Sequence, residues 1–206
     1  MEIKVVSVDA VMLYFEQNIC EEVLDQVQAH YVALKELKGI IDITPSYCSI
    51  LVQYDIFVYD YKSIQNAIHK TCSKAVGLAL ANAKKQSKLI KIPTNYKNNL
   101  DLERVAKHNH LSIKEVIQLH SQRTYRVYAI GFIVGFAYLA KVNSKIMTPR
   151  LESPRHKVSK GSVAIADNQT AIYPQNSAGG WNIIGHTDFD EFQSFEVGDR
   201  VAFIQI

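Results

Sequence analysis

The sequence predicts an α+β domain of ferredoxin-like pattern over residues 1–92, followed by an all-β domain over residues 93–206 that opens with two short helices. Three observations carry this. Two stretches of the first half repeat apolar residues at helical spacing, and β-rich runs flank them in the order β-α-β-β-α-β. From Thr124 onward no helical period survives. Short runs rich in Val, Ile, Tyr and Phe alternate there with turns marked by Gly131, Gly135, Gly161, Gly179, Gly180 and Gly185 and by Pro149, Pro154 and Pro174, the composition of irregular β-structure.

Residues 2–15 read as the first strand. Asn18, with Glu21 three residues on, predicts a capping box. Cys20, Val23, Leu24, Val27, Tyr31 and Leu34 then form one helical stripe that stops at Gly39. Residues 40–44 (IIDIT) and 49–55 (SILVQYD) read as a hairpin around Pro45 and Ser46. Asp60 opens a second helix with Ile64, Ala67, Ile68, Thr71, Cys72, Ala75 and Ala79 on one face, and LIKIPT (89–94) is the closing strand. The two short helices run from about Asp101 to Asn109 and from a cap at Ser112, with Glu115 at the third helical position; His110 and Leu111 turn between them. RVAFIQI is the last strand.

At 206 residues, 48% hydrophobic and 21% charged, the chain has ordinary globular composition and is long enough for a sizeable core. A net charge of +3 without a Lys/Arg block argues against nucleic acid. The N-terminus, MEIKVVSVDAVMLYF, lacks the pattern of a charged leader before an apolar core, and no apolar run reaches membrane-spanning length. A cytoplasmic protein without membrane contact is expected. Cys20, Cys48 and Cys72 make neither a CxxC pair nor metal-ligand spacing and are expected to be reduced, mostly buried thiols. His108, His110 and His120 are expected to be solvent-exposed rather than metal ligands, and no metal site is expected. Neither a GxSxG elbow nor a GxxxxGK[ST] loop is present.

Several segments of the second half carry more. GFxxGFxYL (Gly131–Leu139), PRxxxPR (Pro149–Arg155), GSVxI (Gly161–Ile165), NQTxIYP (Asn168–Pro174) and SxGGWxxIG (Ser177–Gly185) follow one another in an order and spacing that resemble the family of KipI and the 5-oxoprolinase subunit PxpB, also called allophanate hydrolase subunit 1, with its carboxyltransferase-type C/D domain. Residues 1–92 are similar to the N-terminal half of the same family. The resemblance implies that the second domain is a cyclophilin-like barrel. It implies a non-autonomous subunit of an ATP-dependent lactam hydrolase that, with PxpC-like (KipA-like) and PxpA-like partners, hydrolyses 5-oxoproline to glutamate. ATP and Mg2+ then belong to the assembled complex. KipI itself implies a different role, inhibition of a sensor histidine kinase through its dimerisation helices, and urea amidolyase implies a third, half of a carboxyltransferase.

The site residues expected on this basis fall into two groups. Arg150, Arg155 and Asn168 are expected to hold a substrate carboxylate or a phosphate; each arginine follows a proline and offers a planar fork, although each has the alternative of pinning its loop through backbone carbonyls. Gln169, Thr170 and Tyr173 are expected to orient the reacting portion, the alternative being that they satisfy buried strand ends. Trp181 is expected to plug the barrel. Among Tyr125, Tyr128, Phe132, Phe136 and Tyr138, the two that follow Gly135, Phe136 and Tyr138, are expected to meet the partner chain.

The chain departs from the family pattern at Val134, Ala137, Ala140, Lys141, Ser159, Asp167, Ala171 and Ala178, and its NYKNNLDL (residues 95–102) stands where the family shows CYGGxxGPDL. Each lost glycine or proline is expected to relax a turn.

Overall fold

The computed structural model describes residues 1–97 and 99–206; of residues 74–86 only the helical backbone is described, so Ala75 and Ala79 lie outside the described side chains. The chain divides into two units, Met1–Ser87 and Lys88–Ile206.

In the first unit the expected opening strand is two, β1 (Glu2–Ser7) and β2 (Ala10–Tyr14), paired antiparallel. Helix α1 (Glu21–Lys35) follows, then β3 (Ile40–Pro45), β4 (Ser49–Tyr54) and α2 (Tyr61–Gln86). The sheet order is β1-β2-β4-β3. This differs from the ferredoxin-like series: β1 takes a sheet edge, and the strand after α2 pairs elsewhere. Alternation in β4 buries Ile50, Val52 and Tyr54. These pack with Val11 and Leu13 of β2 and with the stripes Val23, Val27, Leu34 and Ile64, Ile68, Cys72 of the two helices. α1 begins later than the sequence suggests, with Cys20 at the N-cap and no side-chain cap, whereas α2 starts where expected, Asp60 accepting from Ser63 N at 2.7 Å. All three cysteines are free; Cys48 and Cys72 are buried, and burial pushes the Cys72 thiol up to about 11.

The second unit begins with β5 (Leu89–Thr94), so the expected boundary at residue 92 falls inside a strand. β5 runs parallel to β13 (Arg200–Gln205), which fixes it to this unit. Between them come α3 (Leu102–His108), α4 (Ile113–Ser121), β6 (Thr124–Ile130), β7 (Ala137–Ala140), β8 (Arg155–Val158), β9 (Ser162–Ala166), β10 (Gln169–Ile172), β11 (Ser177–Gly179) and β12 (Asn182–His186). Seven strands form one sheet in the order β12-β9-β10-β7-β6-β13-β5. Its two edges meet where Asn95 and His186 exchange backbone hydrogen bonds of 2.8 Å each, so the sheet is a nearly closed barrel. β8 and β11 form a separate ribbon.

Period-two alternation gives this sheet two apolar faces. Val163 and Ile165 of β9, with Tyr125, Val127, Leu139, Ile172, Ile184, Val201 and Phe203, join Leu102, Val105 and Val116 of the helices in the main core. Ala164, Ala166, Ala171 and Ile183 point the other way. They pack with Phe136, Tyr173 and Trp181 in a second cluster. α4 carries the expected capping box, Ser112 N donating to Glu115 Oε2 at 2.8 Å.

Candidate functional site

The second cluster is where most of the expected site residues meet. Phe136, buried at its centre, makes edge contacts with Tyr138, Tyr173 and Trp181 at centroid separations of 4.9, 5.4 and 5.7 Å. Edge-to-face geometry of this kind lets each ring present a positive rim to a negative face. Arg150, exposed, lays its guanidinium 5.6 Å from the centroid of the Trp181 ring. Trp181 therefore belongs to the outer cluster and does not plug the barrel interior.

Tyr173 is the polar centre of this group. Burial pushes its phenol above the ordinary tyrosine value, the Trp181 backbone N–H and the charges of Arg150 and Arg155 oppose the shift, and the hydroxyl stays neutral at neutral pH. The main chain leaves it room only because residue 179 is glycine: a Cβ there would collide with the phenol oxygen.

Arg155 is held from the opposite side. Its Nη2 donates to Asp101 Oδ1 at 2.7 Å, and the other carboxylate oxygen of Asp101 accepts from Ile183 N, also at 2.7 Å. Asp101 N returns a bond of 2.9 Å to Ile183 O, tying the start of α3 to β12. Arg155 Nη1 is buried with no hydrogen-bond partner. Loop pinning through carbonyls, the alternative for Arg155, is thus absent at both terminal nitrogens.

β10 separates two residues that the sequence pattern groups. Neighbouring strand residues face opposite sides, so Gln169 shares the face of Ala171 while Thr170 points into the main core. Thr170 is fully buried, its hydroxyl donating to Ala164 O at 3.0 Å and meeting His120 Nε2 at 2.9 Å. It satisfies the barrel interior and does not touch the outer face. His120, expected at the surface, is also fully buried, and desolvation pushes its imidazole down to about 3. Asn168 sits in the β9–β10 turn, where its carbonyl accepts from Val142 N at 2.8 Å. Asp167 beside it keeps φ at 51° in place of the family's glycine, so this turn is not relaxed; Asp tolerates the left-handed region better than most residues.

Phe136 is 2% exposed and Tyr138 is half-buried, so the expectation that both are free to meet a partner fails for Phe136. The exposed apolar residues of that loop are Phe132 at 63% and Val134 at 76%. Phe132 also holds φ at 72°, strained for a bulky residue.

Two clefts in this unit, of about 450 and 500 Å3, are lined by Tyr96, Leu102, Ile113 and Ile206 and by Val134, Lys160, Asp190 and Phe192 among others. Neither includes an expected site residue. Among the described residues no three His, Cys, Asp or Glu side chains converge as a metal site. No helix among them is long and apolar enough to cross a membrane. Sequence reasoning missed Asp101, whose signal was faint: it is the one acidic residue in NYKNNLDL, directly before a helix.

Residues 1–199 match the family described as carboxyltransferase domain, subdomain C and D. The chain is 33% identical over 214 aligned residues to the PxpB-type subunit of the Bacillus subtilis 5-oxoprolinase, covering 96% of this chain and 89% of that one. The crystal structure of TTHA0988 superposes with a TM-score of 0.81 at 30% identity; the match covers 97% of this chain, which spans only 40% of the TTHA0988 chain. Urea amidolyase of Kluyveromyces lactis, at 14% identity, shares the fold with a TM-score of 0.72 over 96% of this chain and 14% of its own.

Proposed function

The chain belongs to the carboxyltransferase-domain family of subdomains C and D, and from that premise we propose that it is a PxpB-like subunit which, with PxpA-like and PxpC-like chains, hydrolyses 5-oxoproline to glutamate at the expense of ATP. The observation that carries this reading is the likeness to the Bacillus subtilis 5-oxoprolinase subunit across nearly the full length of both chains.

The geometry supports a share in the work. Arg150 and Arg155 supply positive charge beside a wall of rings, and Tyr173 supplies a neutral hydroxyl. Gln169 adds an amide on the same sheet face. These groups bind and orient an anionic substrate with a flat ring. No carboxylate or imidazole poised as a general base stands among them, and no donor set for Mg2+ accompanies them among the described residues. Nucleotide, metal and the remaining acid–base groups are thus assigned to the partner chains, with this chain inactive alone.

A PxpC-like chain docks, on this reading, against the exposed loop tip of Phe132 and Val134, where a large ring held in a costly conformation has little packing reason to be. The same exposed tip supports the KipI-like reading, in which the occupant is a kinase dimerisation helix.

The test is reconstitution: the chain mixed with its PxpA-like and PxpC-like partners, ATP, Mg2+ and 5-oxoproline, with glutamate as the readout. Glutamate release only when all three chains are present is expected. Its absence with verified partners overturns the reading, and suppression of kinase autophosphorylation by the chain would install the alternative.

A further inference from the structure

We propose that Asp101 is a positioning residue that tunes the outer face of the barrel to a singly charged carboxylate rather than to phosphate. The inference rests on the reading of that face as the substrate site and decides a point that reading leaves open, which anion the two arginines take.

The face holds two guanidinium groups, but their charges are not equally available. Asp101, 4% exposed, faces Arg155 at 2.7 Å and compensates its charge at close range. Its second oxygen and its backbone N–H are fixed to Ile183, so the carboxylate cannot swing away when a ligand arrives. Arg155 is thereby locked in one plane with Nη2 consumed. Its Nη1 is left as a donor, shut from water with nothing to bond, which is a costly arrangement that a ligand oxygen set against it removes. Arg150 keeps a free charge, stacked on Trp181 and exposed. The net positive charge offered is therefore about one unit.

A phosphate near neutral pH carries between one and two negative charges and wants several donors at once. A carboxylate carries one charge and is served by one fork and one further N–H. The surroundings agree with a small organic acid: Tyr138, Tyr173 and Trp181 offer ring surface beside the arginines, which suits the flat body of a cyclic carboxylate and is wasted on a phosphate group.

Trp181 is the chain's single tryptophan, so its fluorescence reports on this face alone. The intact chain is titrated with L-5-oxoproline, with cyclopentanecarboxylate, which keeps the acid but lacks the lactam, and with inorganic phosphate. The proposal expects saturable responses to the carboxylates and at least tenfold weaker binding of phosphate. In Asp101→Asn, which still accepts from Ile183 N but no longer compensates Arg155, the preference for carboxylate over phosphate should drop about tenfold, as one unmasked charge at this range allows. A loss of packing alone would weaken both anions together. Phosphate bound as tightly as carboxylate by the unaltered chain, no saturable response to any carboxylate, or an unchanged ratio in Asp101→Asn overturns the proposal. Should Asp101→Asn fail to fold, Arg155→Gln replaces it: about tenfold weaker carboxylate binding is expected, and unchanged binding overturns the proposal. Binding of cyclopentanecarboxylate without binding of 5-oxoproline leaves the proposal standing and removes 5-oxoproline as the substrate.

Discussion

His120 Nε2 lies 2.9 Å from Thr170 Oγ1 in the closed interior of the barrel, and Tyr96 completes the line with its hydroxyl 2.7 Å from His120 Nδ1. The chain of bonds fixes the protons. Thr170 donates to Ala164 O, so it accepts from His120 Nε2–H, and Nδ1 then accepts from the Tyr96 hydroxyl. A neutral imidazole satisfies every partner, whereas a protonated one would face the Tyr96 hydroxyl with a second donor.

This predicts a pH dependence of stability with a definite sign. The folded state holds His120 near 3 and the unfolded chain near its ordinary value of about 6.5, so the unfolded chain binds more protons between those limits. Stability is full above about pH 6.5 and falls as pH drops towards 3, by up to about 1.4 kcal/mol per pH unit. Urea denaturation between pH 4 and 8 should show this slope, reduced in His120→Gln. Equal slopes in both proteins would place the acid sensitivity elsewhere.

Thr170→Val keeps the shape of the residue and removes its hydroxyl. It leaves His120 Nε2–H and Ala164 O without their partner and should cost about 1–3 kcal/mol of stability. The ligand response of Trp181 should not change, because Thr170 faces away from it. A changed affinity without lost stability would return Thr170 to the site.

Phe136→Ala and Phe132→Ala should separate core from surface. Phe136 is the hub of the outer ring cluster, and its truncation should cost about 3–5 kcal/mol. Phe132→Ala and Val134→Ser should stay within about 0.5 kcal/mol of the parent in thermal melts, yet weaken copurification of a PxpC-like chain severalfold. Undiminished copurification would move the docking surface off this loop.

Gly179→Ala should be severe for its size. The added methyl collides with the Tyr173 phenol, so either the ring or the β8–β11 ribbon must shift. Lost thermal stability together with altered Trp181 emission is expected; a melt and spectrum identical to the parent would mean the ribbon yields without disturbing Tyr173.

Much of this was legible in the sequence wherever the signal is local. The caps at Asp60 and Ser112, the hairpin over residues 40–55 and the clustering of Arg150, Arg155, Tyr173 and Trp181 all follow from short-range patterns. What failed depends on distant chain. Residues 89–94 read correctly as a strand, but their partner is β13, more than a hundred residues on, and no local periodicity reports that pairing. The break between β1 and β2 at Val8 and Asp9 carries neither glycine nor proline. His120 was open to inference, since it lies one helical turn beyond buried Val116, and strict alternation would have separated Thr170 from Gln169. The Asp101–Arg155 pair, 54 residues apart, could be found only in the fold.

The most direct test is glutamate release by the reconstituted three-chain complex, with Arg150→Gln and Arg155→Gln compared with the parent at equal assembly. Turnover is predicted to need every chain and ATP, and to fall at least tenfold in each arginine variant, since each removes a charged hydrogen bond to the substrate. Turnover indifferent to both arginines, or no turnover by the unaltered complex, would contradict the assignment of this face as the substrate site.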